Sequence, residues 1–133
     1  MTSEVIYNGG LRTTCTHLQS GSQIVTDAPL DNQGRGEAFS PTDLVATALA
    51  SCMMTIMGIR ARDNNIDIEG AKAAVNKIMA ADPRRIARVE IRFTMPAKNY
   101  SEAERKLLEE AALGCPVCKS LSMECEQAVE FVW

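Results

Sequence analysis

The chain has 133 residues, the size of one domain. Fourteen basic against 17 acidic residues leave a net charge of −3, and aromatics make up 5%; the basic face and stacking platforms of a nucleic-acid binder are therefore not expected. Hydrophobic residues reach 46%, too many for a disordered chain, and a single histidine, His17, excludes any mechanism that needs two imidazoles.

No segment repeats and none is of low complexity. Glu4 to Tyr7 reads as a short strand ending in the turn Asn8-Gly9-Gly10; Leu11 to Leu18 and Gln23 to Thr26 are two more, around a turn at Ser20-Gly21-Ser22. Residues 27–39 (DAPLDNQGRGEAF) are a polar loop of the length that is often functional. Ser40 then fits a helix N-cap, Pro41 the first helical position, and Asp43 the far side of a capping box.

From Leu44 to Asn64 the predicted helix is apolar on nearly every side, relieved only by Thr47, Ser51 and Thr55. Such a helix has to be enclosed all round. A chain this short can hardly do that alone, so a homodimer sandwiching the helix is expected. The uncharged stretch Leu44–Ile59 spans 16 residues, fewer than the roughly 20 a membrane crossing needs. The helix is expected inside a soluble protein and not in a membrane.

Ala71 to Ala81 suits helix or strand by periodicity, but the turn Asp82-Pro83-Arg84-Arg85 and the alternation of Val89, Ile91, Phe93 and Met95 beyond it favour an antiparallel pair. Ser101 with Glu104 opens a second helix ending at Gly114, Cys115-Pro116 opens a third, and Val129, Phe131 and Trp133 mark a terminal strand. The fold class is α+β, with antiparallel sheets packed on one long buried helix in a single domain, 1–133.

Five cysteines, an odd number, follow an N-terminus without a basic start and apolar signal core. That usage suits a reducing cytoplasm, where thiols are buried or chemically used. Cys52 lies mid-helix among Ala50, Ser51, Met53 and Met54; it is either a small core residue or a nucleophile supported by a cation from elsewhere. Cys115, at a helix N-cap, is expected to have its pKa lowered by the backbone N–H groups there. Cys118 completes a Cys-x-x-Cys, a pair able to exchange dithiol for disulfide. A zinc site would enlist Cys125, Cys15 or His17, but only one ligand pair has the usual spacing.

SPTDLVATALASCMM followed, 63 positions from Cys52 to Cys115, by GCPVCKSLS resembles the OsmC/Ohr family of thiol-dependent hydroperoxide reductases. The resemblance implies an intertwined homodimer in which Cys52 is the peroxidatic thiol and Cys115 the resolving one, with a hydroperoxide as substrate, an external dithiol as reductant, and neither cofactor nor metal. It also implies an arginine holding the thiolate, Arg35 or alternatively Arg12, and a carboxylate orienting that arginine, Asp43 or alternatively Glu37. Two positions depart from the family pattern. Cys118 stands where Cys-Pro-x-Ser has serine, leaving two candidate resolving thiols, and Thr42 stands where Asn-Pro-Glu has glutamate. Two other readings are a Cys115/Cys118 exchange centre with Cys52 a bystander, and a non-catalytic dimer binding a small ligand or metal.

Overall fold

The computed structural model describes residues 1–133. The chain forms two compact units, Met1–Val45 and Ala46–Trp133.

In the first unit β1 (Ser3–Gly9), β2 (Arg12–His17) and β3 (Gln23–Asp27) make an antiparallel sheet in that order. The first hairpin turns where Gly9 and Gly10 take φ of 81° and 59°, values that a Cβ opposes. Val5 faces Cys15, which in turn faces Ile24. The residues buried in this unit are all polar: Thr26, Asp27 and Ser40. Val5, Ile6, Tyr7, Ile24 and Val25 are exposed.

The long helix, α1 (Pro41–Asp63), starts at the end of the first unit and runs into the second. Its start is the capping box read from the sequence. Ser40 Oγ accepts from the Asp43 N–H at 3.1 Å, and the Asp43 carboxylate accepts from the Ser40 N–H at 2.8 Å. It stops at Asn65, which takes a left-handed φ of 56°, while the Ile66 N–H returns to the Ala61 carbonyl and the Asn65 N–H to that of Arg62.

Only one stripe of α1 is fully covered: Ala46, Leu49, Ala50, Met53, Met57 and Ala61. The sequence predicts enclosure on every side, and this chain alone does not provide it. Length and composition would let α1 cross a membrane, with a mean hydropathy of 1.6 over its most apolar window; its buried stripe instead joins a protein core.

That core lies in the second unit. β4 (Lys72–Ala80) pairs antiparallel with β5 (Arg85–Thr94), so the ambiguous segment is a strand. Val89, Ile91 and Phe93 of β5 point into the core with the α1 stripe, while Arg92 and Thr94 face outward, the period-two pattern of a half-buried strand. α2 (Glu102–Leu113) has the Ser101/Glu104 capping box and contributes Leu108 and Ala112, and α3 (Pro116–Ser120) follows directly. β6 (Glu126–Val132) then pairs parallel with β5. The sheet is therefore mixed where the sequence predicts antiparallel strands, because the connection through α2 and α3 carries the chain back before β6 begins. Phe131 stacks on Phe93 with ring centroids 5.2 Å apart.

Leu49, fully buried, and Ser101, an exposed cap, separate the two kinds of stabilisation. Leu49→Ala should cost about 2–5 kcal/mol through its cavity, and Ser101→Ala about 1 kcal/mol through its cap. Urea unfolding of both variants checks the order; equal midpoints would contradict this account of the core.

Candidate active site

Three cysteines meet in the second unit. Cys52, in the third turn of α1, is one residue from the buried Met53, and so sits half-buried against the core. Cys115 is the N-cap of α3 and has no exposed surface. Cys52 is packed against the core cluster that contains Cys115, close enough to act on its thiol. Cys118, half-buried, lies on the other side: its Sγ is 2.7 Å from Cys115 Sγ, its N–H donates to Cys115 Sγ at 3.2 Å, and its thiol reaches the Ala112 carbonyl at 3.7 Å. All five cysteines are free thiols.

The electrostatics of Cys115 reverse the expectation from the sequence. Burial pushes its thiol up from the ordinary value, and the bond to the Cys118 thiol pushes the same way. The Cys118 N–H and the Cys52 thiol pull it down, but less. A helix of five residues offers only one turn of aligned peptides, too little to offset full burial. Cys125 is also buried and raised by burial.

The first unit holds a separate ionic cluster. The Arg12 guanidinium bonds the Glu37 carboxylate and reaches Asp27 Oδ2 at 3.3 Å. Asp27 is wholly buried and accepts the Glu37 N–H at 2.9 Å. That bond first, then Arg12, holds the Asp27 carboxyl below the usual range against its own desolvation. Asp27 escaped the sequence reading; the available signal was its place where an apolar strand enters the long loop. Arg35 lies in the same loop with an exposed side chain. The Asp43 carboxylate serves the cap of α1. Cys115 and Cys52 are thus brought together, as are Arg12 and Glu37; Asp43 and Arg35 are each occupied or placed as described.

Met53 and Met57 are fully buried filling of the core. His17 Nδ1 pairs with Ser20 Oγ at 2.7 Å, and no group of three His, Cys, Asp or Glu side chains is placed to hold a metal ion.

A raised pKa keeps the Cys115 proton on to higher pH. In the reduced protein Cys115 should resist iodoacetamide at pH 7, with its alkylation rate rising only above the ordinary thiol range of about 8.5. Mass-spectrometric mapping of alkylated peptides checks this; rapid labelling of Cys115 at neutral pH would refute the burial argument.

The family model described as OsmC-like protein matches residues 34–130. Among proteins with curated descriptions, none matches by sequence. A putative osmotic stress induced and detoxification response protein from Psychrobacter arcticus is 54% identical, over 98% of this chain and 95% of its own, with a TM-score of 0.94. An organic hydroperoxide resistance protein from Legionella pneumophila is similar in fold at 17% identity, over 100% of this chain and 98% of that one, with a TM-score of 0.77. The organic hydroperoxide resistance protein OhrB of Bacillus subtilis is similar at 20% identity, over 98% of each chain, with a TM-score of 0.69. With its α+β architecture and a match over most of its length, the chain belongs to the OsmC-like family.

Proposed function

We propose that this protein is a cytoplasmic, thiol-dependent hydroperoxide reductase whose peroxidatic residue is Cys52. The observation that supports it most directly is the packing of Cys52 at the edge of the core that holds Cys115. The Cys52 thiolate attacks the terminal oxygen of a hydroperoxide; the O–O bond breaks, an alcohol leaves with a proton, and Cys52 becomes a sulfenic acid. The Cys115 thiol condenses with it, forming the Cys52–Cys115 disulfide and releasing water. An external dithiol then restores both thiols and is itself oxidised to a disulfide.

The thiolate needs a cation, since an apolar surround disfavours it. The sequence resemblance offers Arg35 or Arg12 as the arginine and Asp43 or Glu37 as the carboxylate. Asp43 already caps α1, whereas Arg12 and Glu37 form an ion pair of the kind the resemblance implies, which supports Arg12 and Glu37 as the proposed pair.

After one equivalent of cumene hydroperoxide, peptide mapping should show a disulfide between Cys52 and Cys115. Cys52→Ser should remove turnover, and Arg12→Ala should lower it by about 10²-fold or more, the scale of losing one charge-stabilising donor, with Arg35→Ala close to wild type. An unmodified Cys52 would leave the family fold without this chemistry, and the opposite order of the arginines would return the role to Arg35.

The protein is further proposed to act as a homodimer. The incompletely covered α1 and the exposed apolar residues of the β1–β3 sheet are surfaces a soluble monomer rarely leaves open. Light scattering should return twice the 14.5 kDa chain mass, and a 14.5 kDa particle would overturn the dimer.

A further inference from the structure

The resolving cysteine of this chain has a neighbour that the two-cysteine reaction does not use. Cys118 Sγ lies 2.7 Å from Cys115 Sγ, and the Cys118 N–H fixes that sulfur in place. Cys115 therefore touches the Cys118 thiol, while Cys52 is packed against the same core. Cys115 is fully buried, whereas Cys52 and Cys118 are both half-buried, Cys118 on a short helix whose neighbouring Lys119 and Ser120 are exposed.

A disulfide between Cys52 and Cys115 presents two sulfurs to a reductant. The Cys115 sulfur has no open surface for an incoming molecule. Cys118 is already beside it, and a thiol held in contact outcompetes a dissolved one by a large effective concentration. Thiol–disulfide exchange needs an attacking thiol, an accessible sulfur and a leaving thiolate, and Cys118, Cys115 and Cys52 stand in that order.

We propose that Cys118 is a third redox residue, which takes over the Cys115 sulfur and moves the disulfide from Cys52–Cys115 to Cys115–Cys118. The inference rests on the peroxidase reading above. In this step the Cys52–Cys115 bond breaks as the Cys115–Cys118 bond forms, and the Cys118 proton passes, directly or through water, to Cys52. Nothing is oxidised or reduced overall. Cys52 is set free for another hydroperoxide before any reductant arrives. The external dithiol then meets a disulfide with one half-buried member, reduces it to two thiols, and leaves as its own disulfide.

The relay predicts a stoichiometry. Without reductant, the fully reduced wild-type protein should consume two equivalents of cumene hydroperoxide per chain. The first yields Cys115–Cys118; the second turns the freed Cys52 into a sulfenic acid that dimedone traps. Cys118→Ser should stop after one equivalent, with Cys52–Cys115 as its end product. In a quenched time course of the wild type, Cys52–Cys115 should rise first and give way to Cys115–Cys118. This series tests the relay even if the variant fails to fold.

A wild-type end product of Cys52–Cys115 with Cys118 still a free thiol would overturn the relay and leave the peroxidase reading intact. So would a direct Cys52–Cys118 link. Formation of Cys115–Cys118 at an undiminished rate in Cys52→Ser would overturn it as well, by making the pair its own oxidation centre. Failure of the parent reading looks different: Cys52 is then unmodified by peroxide in both proteins.

Discussion

Val89, Ile91 and Phe93 on β5 need an apolar surface to cover them, and the stripe Leu49, Ala50, Met53 and Met57 on α1 supplies it. That packing fixes the rotation of α1 about its axis. Successive helical residues are separated by about 100°, so the residue before Met53 is set at the margin of the stripe. Cys52 consequently sits half in the core and half out. The other wall is made by Leu108 and Ala112 of α2, and the chain leaving α2 brings Cys115 into the same core. A rotation of α1 large enough to expose Cys52 would withdraw Met53 from the core. The position of this thiol is thus held by a dense core, not by a flexible loop.

The unit Met1–Val45 is held by different forces. It buries no large apolar side chain, and its ordered groups are the strand ladder and the cluster of Arg12, Asp27 and Glu37. A buried carboxylate is costly unless it is paired and hydrogen-bonded. Asp27 has Arg12 and the Glu37 N–H, both on Oδ2. Its depressed pKa means that the folded state favours the ionised form. The resulting stability is present above the ordinary carboxylate range and is lost as the pH falls through the folded value. The cluster therefore ties the strand ends Arg12 and Asp27 to the loop at Glu37 at neutral pH and loosens in acid.

Local signals carried much of this architecture. Ser40, Pro41 and Asp43 announce the start of α1, Ser101 and Glu104 that of α2, and the alternation from Val89 to Phe93 gives β5 with the correct face inward. The Cys52 and Cys115 pair was legible through the order and spacing of two short motifs. What was not legible depends on contacts across the sequence. The parallel placement of β6 follows from where α2 and α3 deliver the chain. Arg12 meets partners 15 and 25 positions away, a meeting that no local pattern encodes. The acidity of Cys115 departs from its reading for the same reason: the N-cap position predicts a lowered pKa, and here the core closes over the thiol and raises it.

That burial bears on how two thiols so close together divide the proposed work. A peroxidatic thiol needs to be ionised, because the thiolate is the nucleophile. A resolving thiol needs above all to be near the sulfenic acid, since an intramolecular partner gains an effective concentration that dissolved thiols cannot match. Cys115 is held protonated by its surroundings, with the Cys118 thiol reinforcing this and the Cys118 N–H opposing it. It is thereby a poor target for peroxide, and it lies in the core against which Cys52 is packed. Low acidity protects the resolving sulfur from the oxidant, and contact restores the rate that low acidity removes. The same closure that shields Cys115 from peroxide also shields it from reductant, so the half-buried Cys52 and Cys118 are the sulfurs through which its disulfides meet the outside.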